Sequence, residues 1–493
     1  MPAQTSSSPA ASQSSPDERG FATDRDPRLR LIIPLVVAFA FLMEQLDQTI
    51  ITTAIPDMAH SLGTTALRMN LAVTTYVLTL AMFIPVSGWF ADRLGARRVF
   101  VAALLIFTAG SVLCGLANSF AMLVATRALQ GFGGAMMTPV GRLILLRSFP
   151  RNQFFTAMIY MSLPAMIGPV IGPLLGGLLT TYVSWRWIFY INIPFGCLGV
   201  LLALRFVEEI HGDRQVKFDF PGFVMVALGL GLLQYGIENI GRPTIPAAAI
   251  AGVLIAALLF LLAFLRHARR VPAPAVDLTL FRLRTFRVGT LAGGLARVGM
   301  NGVPYLLPLM LQLGFGLSPV ASGSLTFVTS LGALLIRPIS SPLLRWLGFD
   351  RLLFWSALFG AAVVAGFALI GPHTPYWVIV GYIGFFGLVR SVQFMTSNTL
   401  SYAEMPSDRL SRATSLGGVL QQLTVSFGVS FGAMLLGLLT SPGQTLSPAR
   451  FHEVFLLMGI IPLLSLPGFL QLRPEDGMVA SGHRRRRPKK AES

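Results

Sequence analysis

The chain has 493 residues, 54% hydrophobic and 12% charged, with a formal net charge of +17. That charged fraction is about half that of a soluble globular protein. Apolar runs of about 18 residues or more recur along the chain, so a soluble fold is excluded and an all-α polytopic membrane protein is expected. A membrane β-barrel is excluded as well, because its strands would alternate in segments of about 10 residues.

Residues 1–30 are rich in Ser, Pro, Ala and Asp/Arg and predict a disordered cytoplasmic N-terminus, with no signal-peptide core ahead of the first long run. Fourteen apolar spans follow, at 31–52, 69–90, 99–118, 121–146, 154–180, 187–204, 220–240, 245–265, 288–313, 318–340, 352–371, 376–398, 413–439 and 453–472. They group into an N-terminal six-helix bundle (31–204), two linker helices with their cytoplasmic loops (205–287), a C-terminal six-helix bundle (288–472) and a basic cytoplasmic tail (473–493). With both termini inside, 29 of the 38 Lys and Arg residues fall in cytoplasmic segments and four, Arg68, Arg186, Arg242 and Arg450, in outer loops. This loop-by-loop bias is the positive-inside pattern. It also explains the net charge, and Arg484–Arg487 with Lys489 and Lys490 then read as a retention signal for the tail rather than a nucleic-acid patch. The expected location is the plasma (cytoplasmic, inner) membrane.

In the first span, Glu44 and Asp47 lie three residues apart, which puts both carboxylates on one face of a helix. After the second span comes Gly88-Trp-Phe-Ala-Asp92-Arg93-Leu-Gly95-Ala-Arg97-Arg98, a short turn that needs its glycines and brings charges to the inner mouth. Asp92 could latch to the N-terminus of span 13 near Ser411, where a helix dipole favours a carboxylate. The fourth span carries Arg127 and Gln130. The fifth carries Pro164, Gly168, Pro169, Gly172, Pro173, Gly176 and Gly177. Its glycines, spaced by four, make a groove for another helix, and its prolines remove backbone donors and allow a bend.

The second half repeats the first. Leu-Gly-x-x-Arg recurs at 347–351 after its occurrence at 94–98, and Arg127-Ala-Leu-Gln130 is echoed by Arg390-Ser-Val-Gln393, relating spans 1–6 to spans 9–14. The copy has Arg345 where Asp92 stands, so no equal latch is expected there. Spans 7 and 8 are left as an insert without a derived function, with Glu238 read as interfacial. Related halves facing one another are an architecture of secondary transporters.

A charge at bilayer depth costs about 2.5–3.5 kcal/mol, so each should face a cavity or a partner. Arg127, Arg297 and Arg390 lie deep, with Gln130, Asn301, Gln393 and Asn398 as polar company, and these six besides Arg127 are the candidate substrate-cavity residues. Asp47 is the candidate proton carrier, with Glu44 and Arg127 beside it, because burial and a nearby Arg push a carboxylate's proton affinity in opposite directions. A structural salt bridge to Arg127 is the alternative. Three deep arginines against two acids point to an anionic or zwitterionic cargo, such as an organic acid or metal chelate, held by Arg297 and Arg390; internal pairing of Arg127 and Arg390 is the other reading.

The loop after span 2 resembles the loop 2–3 signature of the major facilitator superfamily. Leu46-Asp47-Gln48-Thr49-Ile50 through Pro56 is similar to the first-helix motif of its fourteen-span drug:proton antiporters. Arg127 with Gln130-Gly131, the glycine–proline run 168–177 and Trp185-Arg-Trp-Ile-Phe-Tyr-Ile-Asn192-Ile-Pro194 resemble three further motifs of that group. The resemblance implies two six-helix bundles with two extra helices between them, and export of drugs or other small molecules in exchange for protons. It supports an acid at Asp47 and requires none at Glu44. Protons are then the coupling ion and no cofactor is expected; no P-loop occurs, and the Gly-rich stretches lack the strand that a dinucleotide site needs. An enzyme built on the acid pair would need a nucleophile or metal set beside it, which the sequence does not cluster there. A non-transporting scaffold would have no use for buried charge in both halves. The expected partners are a small-molecule substrate, protons and the lipid bilayer.

Overall fold

The computed structural model describes residues 28–149, 151–209, 218–240, 245–272, 274–406, 409–440 and 446–478. Among these residues every regular element is helical. The expected disordered N-terminus up to residue 27 and the tail from residue 479, with its Arg/Lys run, lie outside the described residues.

The first bundle comprises α1 (Leu29–Ile50), α2 (Ile55–Ser61), α3 (Ala66–Leu94), α4 (Ala96–Gly115), α5 (Phe120–Ser148), α6 (Arg151–Tyr182), α7 (Trp187–Tyr190) and α8 (Asn192–Phe206). The linker pair is α9 (Phe220–Asn239) and α10 (Ala247–Ala268). The second bundle comprises α11 (Arg284–Arg287), α12 (Gly293–Asn301), α13 (Val303–Leu309), α14 (Pro319–Leu335), α15 (Arg337–Gly366), α16 (Tyr376–Ala403), α17 (Leu410–Leu439), α18 (Pro448–Leu463) and α19 (Leu466–Phe469). Several helices begin where a side-chain oxygen accepts from an otherwise free backbone N–H: Thr65 from Arg68, Ser119 from Met122, Ser318 from Ala321.

Among the described residues ten helices are long and apolar enough to cross a membrane, so the chain is a multi-pass membrane protein. The other four expected spans correspond to helices that fall short for visible reasons. α5 carries Arg127, Arg142 and Arg147, the described apolar stretch of α6 is Ile167–Tyr182, and α14 has 17 residues. The ninth span is an irregular helix. Wide π turns at Val288–Ala292 and Met310–Gly314 flank α12 and α13, and Gly302 between them keeps helical angles (φ −71°, ψ −28°). Pro304 and Pro308 leave the carbonyls of Met300 and Pro304 without the usual N–H donor four residues on.

The internal repeat is visible in the backbone. Gly95, between α3 and α4, has φ +101°, and Gly348, inside α15, has φ +77° and marks a kink between two helices. Only glycine adopts such angles without strain.

One end of the molecule gathers Arg93, Arg97, Arg98, Arg147, Arg205, Arg284 and Arg412 and is here called the basic end. At the opposite end the two bundles share a single apolar core, in which Ile50, Ile51 and Ala54 pack with Tyr305, Leu309 and Leu325. Hydrogen bonds lock the same end: Gln312 Nε2 donates to Thr53 O at 2.9 Å and Tyr305 Oη to Ala66 O at 3.3 Å. Towards the basic end the core centred on α1, α3, α4 and α5 also takes in Val419 and Leu423 of α17, while smaller cores lie within the second bundle.

The linker pair is tied together at the basic end by Asp219. Its carboxylate accepts from Gly222 N (3.0 Å), Ala275 N (3.1 Å) and His267 Nε2 (2.7 Å). Burial pushes this carboxyl up, but those hydrogen bonds and the His267 charge outweigh it and hold it below the ordinary carboxylate range. A lowered folded-state value stabilises above the ordinary carboxylate range, and the stabilisation is lost as pH falls through the lowered value. Asp219→Ala should therefore lower stability by about 0.5–2 kcal/mol at neutral pH. In thermal melts of the purified protein the gap to wild type should close as the medium is acidified.

Candidate functional site

α1 places Glu44 and Asp47 on one face against α5, and the two meet different surroundings. Asp47 Oδ2 accepts from Arg127 Nη1 at 2.7 Å, with both side chains 1% exposed. Asp47 Oδ1 accepts from Gln130 Nε2 at 2.8 Å and from Asn192 Nδ2 at 3.5 Å. Arg127 also donates from Nε to Ala72 O at 3.1 Å and from Nη1 to Gln130 Oε1 at 2.7 Å. Its guanidinium lies 4.1 Å from the centre of the Tyr76 ring. Ser111 closes the group by accepting from Gln130 (2.7 Å) and Asn192 (3.1 Å). A buried pair persists when the charges are close and their remaining donors and acceptors are satisfied, and nearly every requirement is met here.

Glu44, one turn towards the basic end, is also buried. The Thr138 hydroxyl donates to its Oε2, and Gln48 Nε2 donates to Oε1 at 3.4 Å. Among the described residues no cation stands within ion-pair distance of it. Arg142 is exposed, with its guanidinium 5.4 Å from the Phe41 ring.

The second bundle gathers its charges around α12 and α16. Arg297 is 6% exposed, donates from Nε to Gly293 O at 3.1 Å and lies 5.4 Å over the Phe394 ring. Arg390, half-buried, donates from Nη2 to Asn301 Oδ1 at 3.1 Å. Asn301 Nδ2 in turn donates to Thr424 Oγ1 at 3.3 Å.

Not every expected cavity residue joins this group. Gln130 belongs to the closed Asp47 network. Gln393 is fully buried and accepts from the Ser356 hydroxyl, facing α15 inside its own bundle. Asn398 sits half-buried on α16. Thr138, Ser111, Tyr76, Asn192 and Thr424 were not singled out from the sequence, although Asn192 lies inside a quoted motif.

At the basic end, Asp92 accepts from Arg147 Nη2 at 2.6 Å, a pair within the first bundle rather than a latch to span 13; the Ser411 side chain lies outside the described residues. Arg97 and Arg98 approach Glu209 at 3.6 and 3.4 Å, and Arg93 stacks 5.5 Å over Trp89. Gly88 is exposed with open space where a Cβ would stand, so its packing does not require glycine here. Gly95 does, through its positive φ.

In α6, Gly168, Gly172 and Gly176 face α1, where an added Cβ would overlap Leu46 N, Thr49 Oγ1 and Ile50 O. Gly177 and Pro173 face α14, meeting the backbone of Pro319 and Gly323. Pro173 supplies no N–H to the carbonyl of Pro169, and the Ser330 hydroxyl of the other bundle donates to that oxygen at 2.6 Å. Pro164 lies in the same described helix.

Two bundles sealed together at one end, with buried charge at mid-depth and an irregular helix beside it, have the architecture of a secondary transporter. The family model described as Major Facilitator Superfamily matches residues 37–429. The chain belongs to this superfamily. It is 39% identical over 449 residues to a Pectobacterium carotovorum protein bearing the multidrug-resistance name MdtD, covering 90% of this chain and 96% of the relative. A Klebsiella pneumoniae protein of the same name is 37% identical over 454 residues, covering 92% and 96%. Among solved structures, peptide transporter POT in complex with sulfate superposes with TM-score 0.66 at 13% identity, covering 91% and 95% of the two chains. The human organic anion transporter MFSD10 does so with TM-score 0.58 at 15% identity, covering 90% and 99%. At such identity these structures show the fold alone.

Removing one member of a buried pair leaves the other charge uncompensated, at a cost of about 3–5 kcal/mol. Asp47→Asn should thus lower the melting temperature of the purified protein clearly, and Arg127→Gln should do the same. The double variant Asp47→Asn/Arg127→Gln should recover most of the loss; strictly additive losses would show that the two side chains do not act as a pair.

Proposed function

We propose that this protein exports drugs across the cytoplasmic membrane in exchange for protons, by alternating access around the mid-depth charges. The basic end is then cytoplasmic, both termini lie inside, and the chain crosses the bilayer fourteen times, with α5, α6, α14 and the irregular α11–α13 segment as crossings beside the ten long helices. Drug export, rather than export of an organic acid or metal chelate, is the reading favoured by likeness to the MdtD relatives over nearly their whole length.

The observation that supports proton coupling is the Asp47–Arg127 pair, buried at 2.7 Å in a molecule whose two bundles share one apolar core at the end away from the arginine cluster. In the form closed at the outer end Asp47 is held by Arg127 after its proton has left inward. Once the outer end has opened, a proton arriving on Asp47 from outside removes the attraction, so α1 is no longer pinned to α5 and the bundles can return. Glu44, with no cation within ion-pair distance, offers its charge to the cationic part of a drug. Inward movement of one proton supplies about 2.3 kcal/mol per 100 mV of membrane potential.

Everted membrane vesicles carrying a preformed proton gradient test this. Adding a transported drug should release protons from wild-type vesicles, read by a pH-sensitive dye. The charge-neutral Asp47→Asn/Arg127→Gln variant, present at equal amount in the membrane, should give a signal at the background of empty vesicles. Drug-stimulated proton release persisting in that variant would sink Asp47 as the coupling group.

A further inference from the structure

The two bundles treat equivalent arginines differently. In the first, Arg127 of the fourth span meets a carboxylate from the first span, Asp47, at 2.7 Å. In the second, Arg390 stands at the repeated position of Arg-x-x-Gln, and its partner from the ninth span is the neutral Asn301, at 3.1 Å. The second bundle has the cation, but an amide stands where the first has an acid. One turn along α12 from Asn301 lies a second guanidinium, Arg297, and one turn along α16 from Arg390 lies the Phe394 ring that it covers at 5.4 Å.

Their described donations are few. Arg390 gives Nη2 to Asn301, and Arg297 gives Nε to Gly293 O, out of five N–H donors on each guanidinium. Among the described residues no carboxylate lies within 4.0 Å of either. Such charge at membrane depth is costly unless an anion meets it. We propose that Arg390, Arg297 and Asn301 form a seat for a carboxylate carried by the transported drug, making amphoteric drugs (a carboxylate on a cationic or neutral body) a substrate class of this protein. The planar guanidinium fork matches the two oxygens of a carboxylate, and Glu44 across the two bundles suits an amine at the drug's other end. The inference rests on the drug-export reading and names one class of its cargo.

The test compares norfloxacin, which bears a carboxylate, with its decarboxylated analogue, using the full-length protein in proteoliposomes and in detergent. Asn301→Asp restores the missing acid and occupies Arg390. Loss of charged hydrogen bonds should lower norfloxacin transport about 10–100-fold relative to the analogue. Arg390→Gln should shift the same ratio in the same direction. Equal effects on both compounds, or no shift in the ratio, overturn the proposal. If wild type exports neither compound, the export reading fails, and norfloxacin binding to the purified protein, followed by its fluorescence, still decides the seat: binding lost in Asn301→Asp and Arg390→Gln supports it, and unchanged binding removes it. If removing chloride rather than the drug's carboxylate is what changes Arg390-dependent binding, the seat belongs to an inorganic anion and the proposal falls.

Discussion

The ion pair between Asp47 and Arg127 organises the first bundle. Taking both charges out of water is costly, and their mutual attraction offsets that cost only because four neighbouring helices contribute partners. α3 supplies the Ala72 carbonyl and the Tyr76 ring, α4 supplies Ser111, α5 supplies Gln130 and α8 supplies Asn192. With α1 itself, five helices thus meet around the ion pair. A change at Asp47 therefore reaches each helix that contributes to the network.

That change has a physical route to the other half. α1 presents its acids to α5 and its opposite side to the glycines of α6, where the backbones are too close for any Cβ. The other face of α6 meets α14 through equally small residues and through Ser330, whose hydroxyl takes up the carbonyl left without a donor by Pro173. Small residues let the backbones of this seam approach closely, and the Thr49 and Thr53 hydroxyls fix the register of α1 on α6 by donating to Gly168 O and Pro173 O, each at 3.4 Å. At one end of the molecule a shared apolar core and hydrogen bonds from Gln312 and Tyr305 add a second lock. The molecule therefore combines a locked end with a tightly packed seam through its middle.

Much of this was legible in the sequence, because hydrophobic length, loop charge and small-residue spacing are local properties. The all-helical class, the glycine groove of the fifth span and the duplicated Leu-Gly turn with its positive φ are of this kind. The ninth span was less readable. Its composition is that of a single regular helix, and its wide π turns at Val288–Ala292 and Met310–Gly314 depend on packing rather than on local sequence. Pairing between distant side chains was not legible at all. Nothing local tells Asp92 to choose Arg147 over the start of span 13, or turns Gln393 towards Ser356 instead of Arg390. Thr138 and Ser111 looked like ordinary small polar residues until packing brought them to the carboxylates. Glu238, read as interfacial, is 4% exposed because α9 lies against the second bundle.

The contacts of α9 also say how the inserted hairpin is held. Against α3 it is apolar, with Phe223, Ala227 and Val86 forming a small core and Phe83 stacking 5.6 Å from Phe223. Against α17 it is polar: Ser430 accepts from Gln234 and donates to Glu238 at 2.9 Å, and Gln234 donates to Glu238 at the same distance. Apolar contact is non-directional and survives a shift of a few ångströms, whereas buried hydrogen bonds lose their geometry and leave unsatisfied groups behind. The hairpin is accordingly anchored to the second bundle and merely rests on the first. α9 thus lies across the α3–α17 seam, touching α3 through apolar side chains and α17 through buried polar ones.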